Sequence, residues 1–436
     1  MVAGTIIGAS IFVQPSQVTG QVPSFTGAAL VWVLAGVLTL LGALVTAELA
    51  SAFPATGGVY VYLREAFGPL AGFLWGWAMF WTMHTGIIAA IAMVMASYVG
   101  FFFQLDATGQ RSVAIAAVFA LSWVNYLGVH HGTVLQTAIT AVKVGAIALM
   151  VAAGFALAPG AGEPNALVAA EVATVAKPGL LGGGGISGLL SGLAAGLFAF
   201  GGWHMVTYNA GETVEPERTI PRSLMLGVMI VTVCYVALNA VYFRILPIDR
   251  VIASERVAAD AAEALLGFGA GAVMTGLVVL SAFGALAGIV LAGPRVYYAM
   301  AGDGQVFAWL GALHPRHRTP HRAIVLQAGW AAVLIWTGTY RQLFTRVIYT
   351  EWIFFGAMAL GLLILRSRGA EPRYTVPGGV FLPIVFALTA FAVAAHEAVT
   401  NPANSIQGLG LVALGAPVYY LWSRARGSSH HPGEQA

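Results

Sequence analysis

Two glycine-containing stretches inside long apolar segments are the parts of this sequence whose chemistry stands out. Residues 4–12 read GTIIGASIF, and residues 196–204 read GLFAFGGWH. A glycine costs a helix about 1 kcal/mol relative to alanine, and a backbone group left unpaired in lipid costs several kcal/mol. We therefore expect both helices to be interrupted, so that freed backbone groups bind a substrate. For either stretch taken alone, close helix packing through small residues is the alternative.

Lys143 is the second chemical feature, because it lies near the middle of an apolar segment at 134–157. A charged residue inside a membrane span is costly, faces the protein interior and suggests a functional role. Snorkelling to the membrane surface requires a position near a helix end, which Lys143 does not have. Bracing of a neighbouring helix and carriage of a proton both remain open as its role.

The composition indicates what kind of elements must position these residues. The 436 residues are 59% hydrophobic and 8% charged, whereas a soluble domain has about 25% charged residues. The chain is therefore predicted to be an all-α integral membrane protein. A span needs roughly 20 apolar residues, and the sequence offers about twelve, at about 1–20, 26–53, 69–103, 111–129, 134–157, 187–212, 223–246, 267–301, 322–338, 345–366, 379–398 and 405–423.

The distribution of lysine and arginine predicts the orientation in the cell membrane. More of these residues fall in cytoplasmic loops when the N-terminus is cytoplasmic than in the reverse arrangement, so both termini are predicted to be cytoplasmic. We expect a single transmembrane domain with a first repeat at about 1–157, a second at about 187–366, two extra helices at about 379–423, and a disordered tail at 427–436.

The two glycine-rich stretches occupy corresponding positions, in the first and the sixth span. Each is the first member of a five-helix half, and paired interruptions of this kind point to a transporter site between inverted repeats. Helix N-termini at such a site favour an anionic group such as a carboxylate.

Four sequence motifs, in order along nearly the whole chain, resemble the amino acid–polyamine–organocation transporters, most closely the L-type amino acid transporter branch and its bacterial relatives. They lie at 4–12, at 54–69 followed by Gly76 and Trp77, at 198–222, and at 295–304 followed by His314, Thr319 and Pro320. The resemblance implies a LeuT-type fold, which is a 5+5 inverted repeat with broken helices one and six. It also implies that Lys143 occupies the place of a sodium ion and braces helix one, so that transport is sodium-independent.

The resemblance also assigns roles to site residues. Backbone groups of the first stretch would receive the substrate carboxylate, at Ile7, Gly8, Ala9 and Ser10. Phe198 would be an aromatic gate, and the carbonyls of the second stretch would receive the amino group, at Phe200, Gly201 and Gly202. The sequence departs from the branch pattern at Ala9 and Ser10, where the Ser10 hydroxyl narrows the pocket, and at His204.

Other residues are candidates with open alternatives. His204 either contacts the substrate or satisfies local backbone, and Trp203 adjoins the same stretch. Ser281 lies on a face of small residues that serves either helix packing or the substrate wall. Glu351 is expected to face an external vestibule. Glu212 is expected near the cytoplasmic end, where it could pair with an arginine such as Arg295.

The resulting prediction is a secondary active transporter of neutral amino acids that works by alternating access. Proton-coupled uptake of cationic amino acids or polyamines, and a non-transporting sensor, are the alternatives. No enzyme, cofactor, metal or nucleic-acid motif is found. The loop at 104–110 has no cysteine, so no disulfide-linked heavy chain is predicted; nothing indicates the oligomeric state. The chain starts three residues before Gly4, so we expect either a start upstream or a helix one without its inner half.

Overall fold

The computed structural model describes residues 2–8, 10–128, 132–157, 181, 183–338 and 340–427. Within these ranges the chain is helical and contains no β-strand. Ala9, most of the loop at 158–186 and the tail beyond Gly427 lie outside the described residues. The α-helices are α1 Val2–Ile6, α2 Gln14–Gln21, α3 Phe25–Ala52, α4 Val59–Phe67, α5 Pro69–Ala78, α6 His84–Phe103, α7 Ala107–Leu127, α8 Gly132–Leu157, α9 Gly185–Ala199, α10 Pro216–Ile245, α11 Ile248–Ala253, α12 Val257–Leu266, α13 Ala270–Gly302, α14 His321–Thr337, α15 Tyr340–Ser367, α16 Phe381–Thr400 and α17 Pro402–Gly427.

Eight helical segments in the described part of the chain are long and apolar enough to cross a membrane. They are Phe25–Ala52, Pro69–Phe103, Ala138–Leu157, Gly185–Glu212, Pro216–Ile245, Ala270–Gly302, Tyr349–Ser367 and Phe381–Thr400. This confirms the prediction of a multi-pass, all-helical membrane protein. The other four predicted spans fall on the interrupted first helix, on the more polar helices α7 and α17, and on α14, which has 17 residues.

The first predicted span is two short helices rather than one. The helix α1 ends at Ile6, a 3₁₀ turn spans Ser10–Phe12, and α2 begins at Gln14. Pro15 lies in the first turn of α2, where its missing N–H costs nothing because that donor has no helical partner. We call the segment between Ile6 and Ser10 the first break.

The sixth predicted span is interrupted in the same way. The helix α9 ends at Ala199, and a 3₁₀ helix begins at Trp203 and runs to Glu212. Gly202 has φ = 92°, in the left-handed region, which glycine adopts readily but which costs other residues about 1–2 kcal/mol. We call residues 200–202 the second break.

The neighbouring helices enclose the first break. The helix α1 packs against α8, α10 and α13 and against the 3₁₀ helix Trp203–Glu212. The helix α3 runs along α10, and α6 packs against α13. A π-helical turn at Met79–Met83 joins α5 to α6; such turns occur often at functional sites. Both breaks therefore lie inside the helix assembly.

Candidate functional site

A cavity separates the two breaks. Its volume is about 20 Å³, which is room for about one water molecule, so in this conformation the cavity is narrower than a bound amino acid would need. Its walls come from five helical regions, namely Thr5, Ile6, Gly8 and Ser10 at the first break, Leu197, Phe198 and Gly201 at the second, Ile87 and Ile91 of α6, Ile289 of α13 and Glu351 of α15. Four of the predicted substrate-binding residues therefore line one cavity, and Ala9 lies outside the described residues.

Side chains of other helices bind the backbone carbonyls of the first break. The buried Lys143 ammonium of α8 donates to the Ile7 carbonyl oxygen at 2.8 Å and to that of Gly4 at 3.2 Å. The Ser281 hydroxyl of α13 donates to the Gly8 carbonyl oxygen at 3.3 Å. A buried ammonium is tolerated only when such acceptors surround it. Lys143 and Ser281 thus hold the interrupted backbone in place, and Ile7 contributes through its carbonyl group.

Tyr235 of α10 links the two breaks, and sequence reasoning missed it. Its hydroxyl oxygen lies 3.0 Å from the Ile6 carbonyl oxygen and 3.1 Å from that of Ala199. A hydroxyl has one proton, so it donates to one of the two carbonyls at a time. A tyrosine inside an apolar span signals a buried hydroxyl that needs a partner, but the sequence does not say which partner.

The second break presents its aromatic side chains in different directions. Phe198 lines the cavity, whereas Phe200 is fully buried and packs against the Tyr235 ring with centroids 4.9 Å apart. Trp203 packs on Phe355, at 5.1 Å between centroids. A Cβ atom at Gly202 would lie at an ordinary contact distance of 3.5 Å from the Thr5 carbonyl oxygen, so the positive φ, not lack of space, favours glycine at this position.

Glu351 occupies a different place from the one expected. We predicted that it faces an external vestibule, but it is 6% exposed and lines the cavity. One carboxylate oxygen lies 3.5 Å from Nε2 of His204. The predicted vestibule position is wrong because α15 is buried on most sides near Glu351. The position of a residue along such a helix does not show which way its side chain points. His204 therefore faces Glu351, and it does not itself line the cavity.

Ion pairs connect the helix ends on one side of the assembly. Arg295 makes two hydrogen bonds of 2.9 Å to the Glu212 carboxylate, as the sequence suggested. Arg64 pairs with Asp303, to which Tyr60 also donates at 2.7 Å. Burial and the Asp303 carboxylate raise the pKa of Tyr60, so this hydroxyl stays protonated and remains a donor. These contacts join α4 and the 3₁₀ helix Trp203–Glu212 to the C-terminal end of α13.

The lining of the cavity limits the chemistry that it can support. Among the residues that the structure describes, no group of three or more His, Cys, Asp or Glu side chains is placed to hold a metal ion. The cavity offers backbone groups at both breaks and the Ser10 side chain at its wall. Such groups form hydrogen bonds with a carboxylate and an amino group.

Known proteins similar to this chain are amino acid transporters. The family model for amino acid permeases matches residues 1–414. The Asc-type amino acid transporter 1 of Mus musculus is 30% identical over 425 residues, which cover 97% of this chain and 79% of that transporter. The serine/threonine exchanger SteT of Bacillus subtilis (strain 168) is 31% identical over 435 residues, covering 98% and 96%.

A third similar protein is the b(0,+)-type amino acid transporter 1 of Homo sapiens, which is 27% identical over 425 residues, covering 97% of this chain and 85% of that protein. The match spans both breaks and every helix that lines the cavity. The predictions of an amino acid transporter, and of a transporter rather than an enzyme, are therefore confirmed. The chain belongs to the amino acid permease family.

Proposed function

We propose that this chain carries neutral amino acids across the cell membrane by sodium-independent alternating access. The observation that carries the proposal is the cavity lined by two helix breaks, with the Lys143 ammonium bound to the backbone of the first break. The likeness to a serine/threonine exchanger and to an Asc-type amino acid transporter supports it.

The cavity suggests how a substrate amino acid would bind. Backbone at Gly8 and Ser10 would receive its carboxylate, and carbonyl groups near Phe198 and Gly201 would receive its amino group. Isoleucine side chains of α6 and α13 form the apolar walls, which suit a neutral rather than a charged side chain. Phe198 would close over the bound molecule as a gate.

Lys143 supports sodium independence. Its ammonium already donates to the carbonyl oxygens of Gly4 in α1 and Ile7 in the first break, which is where a sodium ion would otherwise bind in the related fold. Two cations at one site would repel each other. We therefore expect no sodium requirement.

The proposed fold is a LeuT-type 5+5 inverted repeat of about twelve spans in one domain. Helix one would comprise α1 and α2, helix two α3, helix six α9 and its 3₁₀ continuation, and helix seven α10. These four would rock as a bundle against the remaining helices. Both termini would be cytoplasmic, so that the Arg295–Glu212 and Arg64–Asp303 pairs would form the inner gate. Cys234 lies in α10, which is consistent with no disulfide-linked heavy chain.

A second candidate is transport of cationic amino acids, which Glu351 favours because it places a carboxylate in the cavity wall. The test is counterflow in proteoliposomes that are preloaded with unlabelled amino acid. We expect labelled L-serine, L-alanine or L-leucine to enter without sodium. Saturable entry of L-arginine, without any neutral amino acid, would favour the second candidate.

A glycine variant tests the location of the site. Gly201→Leu would place a side chain in the cavity wall, where even a Cβ atom meets the Phe198 carbonyl oxygen at 3.0 Å. We expect it to abolish counterflow. Gly276→Leu on α13, where a Cβ atom meets nothing within 4 Å, is the matched control and should transport normally. Unchanged counterflow in a well-folded Gly201→Leu protein would refute this location.

A further inference from the structure

A buried carboxylate and a buried imidazole meet at the wall of the cavity. Glu351 is 6% exposed and His204 is 1% exposed, and their nearest oxygen and nitrogen atoms are 3.5 Å apart. His204 is the second residue of the 3₁₀ helix that follows the second break, whereas Glu351 belongs to α15. The pair therefore joins helix six of the proposed bundle to a helix outside it.

The surroundings of this pair offer little else to balance a charge. The cavity walls beside Glu351 are mainly isoleucine, leucine, phenylalanine and glycine. Aromatic rings enclose the imidazole of His204, namely Trp75, Trp203, Tyr208 and Phe355. Its Nδ1 atom has no hydrogen-bond partner in the described part of the chain. The Lys143 ammonium is directed to the carbonyls of the first break.

The other titratable groups near the pair are tyrosines, a histidine with its own partner, and carboxylates that are bound elsewhere. Tyr208 is electrostatically close to Glu351 and is also near Tyr62 and Tyr297. His84 of α6 is near His204, and its Nε2 lies 2.8 Å from the Ile289 carbonyl oxygen. On α3 and α16, the carboxylates packed near α15 are held elsewhere, as Glu48 pairs with Arg366 and Glu397 accepts from Asn401.

This setting makes the protonation of the pair depend on the state of the cavity. With the cavity closed, an ionised Glu351 beside a neutral His204 would be a buried charge without a counterion, which is strongly unfavourable. One proton removes the problem: a carboxylic acid donates its O–H to Nε2, or an imidazolium faces a carboxylate. With the cavity open, water hydrates the carboxylate, and the proton is no longer needed.

We propose that the Glu351–His204 pair binds one proton in each transport cycle, so that entry of a neutral amino acid is coupled to entry of a proton. This inference rests on the function proposed above. A proton from external water binds the Glu351 carboxylate, and its O–H donates to His204. The cavity then closes around the zwitterion. When it opens to the cytoplasm, the proton returns to water, so one net positive charge crosses per substrate.

The test compares two measurements on the same proteoliposomes. Counterflow of labelled L-serine reports transport without a gradient, and net uptake into empty vesicles under an inward proton gradient of about one pH unit reports coupling. With the membrane potential held at zero by potassium and valinomycin, one proton per substrate at this gradient supports accumulation of up to about tenfold, because one pH unit is a tenfold ratio of proton activity. We expect such accumulation with wild-type protein, and its loss when an ionophore dissipates the gradient.

Glu351→Gln provides the specific variant, since the amide keeps the shape of the side chain but cannot exchange a proton. We expect accumulation to fall to a ratio of about one, so that any remaining counterflow is independent of the gradient. Glu397→Gln is the matched control, because it removes a buried carboxylate on α16 that bonds Asn401 and does not line the cavity. It should accumulate L-serine as the wild type does.

The outcomes separate this inference from the proposed function. Wild-type counterflow without any response to the gradient overturns proton coupling and leaves amino acid transport intact, whereas absence of counterflow with all amino acids overturns both. Gradient-driven accumulation by Glu351→Gln also overturns the inference, because the proton would then travel elsewhere, such as on Lys143. Gradient-independent uptake of L-arginine in preference to L-serine would show that Glu351 pairs with a cationic substrate instead. If Glu351→Gln does not fold, acidification of a trapped pH dye on addition of L-serine decides the question with wild-type protein.

Discussion

The hydroxyl group of Tyr235 provides the sharpest prediction, because Tyr235→Phe removes one oxygen atom and nothing else. That oxygen lies 3.0 Å from the Ile6 carbonyl oxygen and 3.1 Å from that of Ala199. The residue is fully buried, so water does not replace the lost donor. The Ile6 carbonyl also accepts from the Gly8 amide at 2.7 Å. The main loss therefore falls on Ala199, at the end of α9.

The size of the effect follows from this single donor. Leaving a buried polar group without its partner costs about 1–3 kcal/mol, which corresponds to a factor of about 5–150. If the Tyr235 hydroxyl contacts the Ile6 and Ala199 carbonyls only while the cavity is closed, the full cost of removing it falls on the closing of the cavity. We therefore expect Tyr235→Phe to lower the counterflow rate by about 5–150-fold, with a smaller loss of thermal stability.

Tyr242→Phe is the matched control on the same helix. Residue 242 lies two helical turns after Tyr235 and so on the same face. It is also fully buried, but its hydroxyl has no hydrogen-bond partner among the described residues. Removing an unpartnered hydroxyl should be neutral or stabilising. We expect Tyr242→Phe to transport within about twofold of wild type.

Counterflow of labelled L-serine and thermal unfolding in detergent, measured on both variants, check this reasoning. If the two variants show equal counterflow at equal amounts of reconstituted protein, the Tyr235 hydroxyl contact does not matter for the closing of the cavity. A loss of stability in Tyr235→Phe with unchanged transport would show that the contact is equally strong in every state. Only a transport defect confined to Tyr235→Phe agrees with the structure.

Further predictions concern Lys143, the second break and the Arg295–Glu212 ion pair. Lys143→Met keeps a long side chain but leaves the two carbonyls bound by the ammonium without it, so we expect counterflow to fall at least about tenfold. Gly202→Ala should destabilise by about 1–2 kcal/mol because of its positive φ, whereas Gly276→Ala, in open space within a helix, should stabilise by up to about 1 kcal/mol; thermal unfolding measures both. Arg295→Gln breaks the bidentate pair with Glu212, which is 57% exposed. Arg295 itself is buried, but the exposed partner limits the contribution of the pair to about 1 kcal/mol, so efflux of preloaded L-serine should rise about two- to fivefold.

Each of these predictions has a result that contradicts it. Full counterflow in Lys143→Met would mean that the first break holds its shape without the ammonium. Equal thermal stability of the two alanine variants would mean that the left-handed backbone at residue 202 carries no strain for other residues. Unchanged efflux in Arg295→Gln, together with unchanged uptake, would remove the ion pair from the inner gate.

The sequence by itself determined the features that depend on local composition. An apolar fraction of 59% requires a membrane protein, because no soluble core could bury that surface. Glycine in the middle of a span weakens a helix wherever it occurs, so residues 4–12 and 196–204 indicated the two interruptions. Lys143 was recognised because an ammonium in an apolar span needs acceptors, whatever the fold.

Only the tertiary structure decided which side chains meet. Tyr235 is separated in sequence from the Ile6 carbonyl by 229 residues, and an apolar helix surrounded by other helices shows no polar face that would reveal its orientation. For the same reason Glu351 was assigned to a vestibule although it lines the cavity beside His204. Local sequence thus specifies where a helix breaks, whereas the choice of partner for each buried polar atom depends on how distant helices pack around that break.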